Sequence, residues 1–232
     1  AAFDLPTDRD LSNLLAIARE AGISTLDTAP AYGSAEERLG KLLKGQRQSW
    51  EIITKAGETY NVQNNMSLFD FSARALRASL DNSLQKLQTD YIDCWMIHSD
   101  GNDIERLNDE TINCLHKAKK DGLVRSIGMS TKTVEGGAYA LQYVDAIMMT
   151  ASLQNTAENA LFATAEKMGK SVILKKIYDS GWALTADNKQ QVMCDTLRQL
   201  FRHPAVCSAI VGTINPAHLQ ENITAYQRAM EN

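Results

Sequence analysis

What this sequence of 232 residues lacks already excludes several kinds of function. Its four cysteines, Cys94, Cys114, Cys194 and Cys207, stand apart, with no CxxC pair and no Cys/His ligand spacing. They read as buried or free thiols of a reducing compartment, not as a disulfide framework or a zinc site. No apolar run approaches the roughly 20 residues that a membrane-spanning helix needs. There is no basic run of five or more, and the net charge is −4, which argues against a nucleic-acid surface. Residues 1–10 hold four charged side chains and no apolar h-region, so no signal peptide is expected and a cytoplasmic location follows. No GxGxxG occurs, which removes the phosphate-binding turn of the doubly wound dinucleotide fold. A small molecule is the expected partner.

What is present is ordinary globular material, 44% hydrophobic and 22% charged, of a length that suits one large α/β domain over 1–232. Short apolar runs at 24–28, 51–55, 91–98, 123–130, 144–150, 171–176 and 208–213 alternate with longer amphipathic stretches. Most of these runs are apolar throughout, as strands covered on both faces of a parallel sheet are. Helical periodicity covers 9–21, 35–44, 72–88, 105–120, 131–142, 156–169, 188–202 and 216–230. Start signals support three of them: a capping box of Ser34 with Glu37, Ser72 ahead of a periodic helix, and Asn215-Pro216 as cap and first residue.

Eight helices and seven strands, alternating at roughly 25 to 30 residues per unit, match an α/β (β/α)8 TIM barrel that lacks its first strand in this chain. The order begins with a helix, so the missing strand is expected upstream. An open doubly wound sheet would alternate in the same way but needs fewer strands.

In such a barrel the chemistry gathers at the carboxyl ends of the strands. Asp27, Lys55 and His98 each close a strand-like run, and Tyr32 lies on the loop after Asp27. A tyrosine gives up its proton near neutral pH only with help, since its ordinary pKa is about 10. An ammonium beside it would favour the phenolate, and a carboxylate beside the ammonium would hold that amine in place. An imidazole could then hydrogen-bond a carbonyl oxygen for proton donation by Tyr32. Each residue also has a structural reading: Asp27 as a turn cap, Lys55 as a solvated strand end, His98 as a rim histidine, Tyr32 as a loop anchor. It is their conjunction that favours chemistry. His116 and His203 read as structural, and Met148-Met149 as inner and outer packing.

At these residues the sequence resembles the aldo-keto reductase family. The segments that carry the resemblance are GISTLDTAPAYGSAEERLG, EIITKAGE, LRASLDNSLQKLQTDYIDCWMIH, GLVRSIGMS and IVGTINPAHLQEN. The resemblance implies a catalytic tetrad of Asp27, Tyr32, Lys55 and His98 on a (β/α)8 barrel, and NAD(P)H-dependent reduction of an aldehyde or ketone. NADPH is the implied cofactor and NADH the alternative, because Gly212 and His218 stand where many relatives carry Lys and Arg. Ser130 would meet the carboxamide, and Gly212, Thr213, Asn215, His218, Glu221 and Asn222 the adenosine phosphate and adenine. The start of the last helix suits that second role, since its amides and dipole attract phosphate.

Three positions depart from the family pattern: Thr131, Met148 and Lys175 replace an asparagine, a glutamine and an aromatic. Lys175 or Lys176 could instead reach the pyrophosphate, the two pointing to opposite faces of a strand. Two further readings stay open. One is a non-catalytic, cofactor-binding sensor or partner subunit; the other is an aldolase with Lys55 or one of the 175–176 pair as a Schiff base. Trp182 is the candidate substrate-lining aromatic, Trp95 is expected in the barrel wall, and a monomer is favoured over an oligomer.

Overall fold

The computed structural model describes residues 6–61, 63–178 and 188–231. Along the chain these form α1 (Asp8–Glu20), β1 (Thr25–Asp27), a single 3-10 turn (Pro30–Tyr32), α2 (Ala35–Leu42), β2 (Glu51–Ala56), β3 (Glu58–Asn61), β4 (Met66–Phe69), α3 (Ala73–Leu87) and β5 (Ile92–His98). They continue with α4 (Asp103–Arg106), α5 (Asp109–Lys120), β6 (Val124–Ser130), α6 (Val134–Ala140), β7 (Ala146–Thr150), α7 (Ala160–Met168), β8 (Ser171–Lys175), α8 (Lys189–Leu200), β9 (Val206–Ala209) and α9 (Pro216–Met230). Seven strands pair side by side, all parallel, in the order β1-β2-β5-β6-β7-β8-β9, while β3 and β4 form a separate antiparallel hairpin. The result is a nearly closed parallel barrel wrapped by helices. Its two edges, β1 and β9, flank a cleft of about 700 Å³ lined by Leu26, Ile210, Leu219 and Ile223 among others.

The alternation of side chains along each strand positions the site. Ile53, Cys94, Met96, Ala146, Met148 and Ile173 point inward and pack as one small cluster in the barrel interior. Their neighbours Ile52, Trp95, Ile97, Ile127, Ile147, Met149, Val172 and Leu174 point outward and pack against the helices. Burying each such large side chain is worth about 1.5–3 kcal/mol. Two residues beyond an inward residue the chain points inward again. Lys55 therefore follows Ile53, Lys175 follows Ile173, and His98 follows Met96 into the barrel's upper mouth. Trp95 lies in the wall, fully buried, as expected.

Local signals hold in part. Ser72 Oγ accepts from Ala75 N, and Asn215 Oδ1 from Ala217 N, as their positions predict. The capping box expected at Ser34 does not form. Ser34 has φ −87° and ψ 7°, outside the extended region in which a cap serine reaches back, and Glu37 pairs with Lys41. The helix expected over 131–142 starts at Val134, because buried Asp103 ties down Lys132 N, Thr133 N and Thr133 Oγ1 through a single carboxylate oxygen. The stretch 105–120 breaks into α4 and α5 at Asn108, whose side chain caps the second. The last strand lies at Val206–Ala209, ahead of the expected 208–213; just past it Ile210 N still donates to Leu174 O, and α9 begins at Pro216. His203 stacks on Phe162 with ring centroids 4.0 Å apart, and His116 is exposed on α5. No helix among the described residues is long and apolar enough to cross a membrane.

Candidate active site

Asp27, Lys55 and His98 arrive at one mouth on neighbouring strands β1, β2 and β5, and the Pro30–Tyr32 turn folds Tyr32 over them. Lys55 is fully enclosed; its Nζ donates to Asp27 Oδ1 at 2.6 Å and to Thr28 O at 2.9 Å. The same nitrogen lies 4.9 Å from the centroid of the Tyr32 ring. Tyr32 meets the His98 ring edge-on, with centroids 6.1 Å apart. Burial pushes the Asp27 carboxyl up and the Lys55 amine down, each opposed by the other's charge.

Tyr32 is pushed up to about 12 by burial, then by the charges of Asp27 and Glu58. The phenol therefore stays protonated at neutral pH. Lys55 faces the ring, and burial, ahead of the two carboxylates, raises the phenol. His98 is pushed down to about 3 by burial and by the ammonium groups of Lys55, Lys175 and Lys132, so its ring is neutral at pH 7.

One residue near the tetrad was not anticipated. Glu58, at the start of the β3–β4 hairpin, places Oε2 2.8 Å from His98 Nδ1. The hairpin's only sequence signal is a pair of short strand-like runs around Asn64-Asn65, where Asn65 takes the left-handed conformation at φ 54°. Nothing in the sequence marked Glu58 itself.

A second arc continues from His98 along β6 and β8. Lys175 Nζ donates to Ser130 Oγ and Thr131 O, each at 2.8 Å. Its pKa is drawn down to about 8, first by burial and then by Lys176 and Lys55, while Glu158 and Asp103 resist. Met148 lies beneath, in the barrel interior. Lys176 falls beyond the strand end at φ 55° and is exposed, so the two lysines do not alternate across a strand.

The third group sits where the chain enters α9. Gly212, Thr213, His218, Glu221 and Asn222 line the same cavity as the tetrad, a space of about 1210 Å³. Asn215 does not line it; its side chain caps α9. Glu221 is engaged by Lys189 from α8. Asn222 donates to His218 O at 2.7 Å, and its Oδ1 is buried without a partner. Five lysines, Lys55, Lys132, Lys175, Lys176 and Lys189, line this cavity against Asp27 and Glu221, so its field is positive. Trp182 lies outside the described residues.

Known proteins resemble this chain in sequence and in structure. The profile of the Aldo/keto reductase family matches residues 5–199. A crystal structure from Pseudomonas aeruginosa assigned to the aldo-keto reductases superposes with TM-score 0.89 at 41% identity, over 98% of this chain and 85% of that one. L-galactose dehydrogenase of Arabidopsis thaliana is 36% identical over 139 residues, 56% of this chain and 42% of its own length. The oxidoreductase YqkF of Bacillus subtilis is 27% identical over 249 residues, 92% of this chain and 81% of its own. Alignment thus spans less than half of the first of these two relatives and most of the second.

Proposed function

Because the chain belongs to the aldo/keto reductase family, we propose that it is an NAD(P)H-dependent oxidoreductase that interconverts a small aldehyde or ketone and its alcohol. The observation that carries the reading is the convergence of Asp27, Tyr32, Lys55 and His98 in a single lysine-lined cavity. When bound, a nicotinamide dinucleotide would supply and accept hydride.

The residues present fit that group. The cavity of about 1210 Å³ runs from the tetrad to the start of α9, its ammonium groups and the N-terminus of α9 suit a pyrophosphate, and the unpartnered Asn222 Oδ1 suits a purine amino group. Ser130 and Lys175 border the stretch between tetrad and phosphate end. Lys176 and Lys189, with Thr213 and His218, border the phosphate end. Gly212 opens room there without adding charge, which leaves NADH as well as NADPH as cofactor.

At the reacting end Tyr32 Oη holds the proton that the carbonyl oxygen receives. A phenol of raised pKa stays loaded with its proton until the oxygen gains charge. Lys55, anchored by Asp27, places a positive charge beneath the Tyr32 ring and steadies the phenolate as it forms. His98 stands opposite and bounds the position of the oxygen. Lys132, exposed near His98, widens the positive rim on the substrate side. The name L-galactose dehydrogenase points to sugar aldehydes and their cyclic hemiacetals as the first substrates to try.

The test is a panel of aldehydes, ketones and aldoses with NADPH and NADH, followed by the absorbance of the reduced cofactor. Consumption that depends on substrate supports the reading; cofactor binding with no turnover on any carbonyl or sugar overturns it.

A second reading draws on one observation: Lys175, with its pKa near 8, is the amine best placed for Schiff-base chemistry, whereas Lys55 is fully buried and tied to Asp27 and Thr28 O. Borohydride with a carbonyl substrate would attach covalently at Lys175 if this reading holds and would leave the reductase unlabelled.

A further inference from the structure

Lys175 ends β8 two residues beyond the inward-facing Ile173, and its Nζ donates to Ser130 Oγ and to Thr131 O, each at 2.8 Å. Both acceptors are buried, so two of the three ammonium protons fix the group against the barrel wall. Lys175 lines the same cavity as the tetrad, and its charge is felt across the mouth, at Asp27 on β1, Lys55 on β2 and His98 on β5. Lys176, next along the chain, adds a second positive charge. The carboxylates whose charge reaches Lys175 from behind are Glu158, in the turn before α7, and Asp103, at the start of α4. Glu158 Oε1 accepts from Thr150 N at 3.2 Å, and Asp103 Oδ2 accepts from Lys132 N, Thr133 N and Thr133 Oγ1. Among the described residues, then, the Lys175 ammonium is held by a hydroxyl and a carbonyl, with no carboxylate in contact to neutralise it.

Such a charge distinguishes the two states of a nicotinamide. The reduced ring is neutral, and the oxidised ring carries one positive charge. Hydride transfer to a carbonyl carbon, with the Tyr32 proton going to the oxygen, therefore creates a cation in the stretch of cavity that Ser130 and Lys175 border. A fixed ammonium in a partly dry cavity repels that cation and not the neutral ring. We infer that Lys175 selects the redox state of the bound cofactor: its ammonium weakens the hold on the oxidised form and leaves the site loaded with the reduced one.

This inference rests on the oxidoreductase reading of the site and gives it a working direction. With both forms of the cofactor present, the cavity fills with the reduced form and stands ready for a carbonyl substrate. The pyrophosphate is common to the two forms, so any attraction of Lys175 to it cancels in the ratio of their dissociation constants. That ratio isolates the effect on the ring.

The test is calorimetric titration of the protein with NAD+, NADH, NADP+ and NADPH, from well below to well above about pH 8. Below that pH the ratio of Kd for the oxidised form to Kd for the reduced form should be about tenfold or more higher in the wild type than in Lys175→Met. As pH rises through about 8 the ammonium loses its proton, and the wild-type ratio should fall toward that of the variant. Lys175→Arg, which keeps its charge, should hold the ratio high throughout. Tyr32 and His98, at about 12 and about 3, titrate outside this range. A wild-type ratio that stays flat with pH overturns the inference, as does a Lys175→Met ratio that matches the wild type at low pH. The wild-type profile decides the matter even if the variants fold poorly. Failure of all four cofactors to bind overturns the oxidoreductase reading and this inference with it, whereas binding of both forms with an unmoved ratio overturns this inference alone.

Discussion

Lys55 donates to Asp27 Oδ1 across 2.6 Å from a side chain with no exposed surface, while Asp27 keeps only a tenth of its own. Two opposite charges are thus stored in the barrel mouth, each dependent on the other.

Removing one partner strands the other. Asp27→Ala leaves a buried ammonium and Lys55→Met a buried carboxylate, and either is expected to cost about 3–5 kcal/mol of stability. The double variant Asp27→Asn with Lys55→Met should recover much of that loss while remaining inactive. Urea unfolding of the four proteins checks this, through midpoints compared at constant slope.

Lys175 titrates near neutrality and should make anion binding depend on pH. Its pKa is about 8, so the ammonium is present below that pH and lost above it. The affinity of the cavity for an anionic dinucleotide should therefore fall as pH rises through about 8, and Lys175→Met should bind more weakly at pH 7 with a flatter profile. Titration of cofactor binding by protein fluorescence over this range is the measurement.

Gly57 allows the hairpin to reach His98. In Gly57→Ala the methyl group meets the Phe71 ring at a backbone angle that side-chain-bearing residues avoid. A loss of about 1–3 kcal/mol is expected, by analogy with other strained backbone positions. The His98 ring signals should shift with it, since Glu58 moves with the turn.

Much of this was legible in the sequence because two regularities coincide. Uniformly apolar runs marked the seven parallel strands, and the two-residue period carried Lys55, His98, Ser130 and Lys175 into one mouth. The ionisation of Tyr32 was not legible. It depends first on how far the fold withdraws the phenol from solvent and then on the charges of Asp27 and Glu58, which only the folded arrangement determines. Glu58 was missed for a related reason: its hairpin is four residues to a strand, without alternation, and contact with His98 is made across the barrel mouth. Ser34 shows the limit of local motifs, since a Ser-x-x-Glu pattern forms a cap only when the serine backbone is extended.

The central claim, that Tyr32 supplies the proton at a cofactor-dependent oxidoreductase site, is tested most directly by comparing the wild-type protein with Tyr32→Phe, measuring cofactor affinity and turnover of the best substrate on the same samples. The expected result is an unchanged cofactor Kd with turnover lower by about 10²–10⁴-fold, the usual contribution of a positioned acid. Turnover by Tyr32→Phe within a few-fold of wild type would contradict the account.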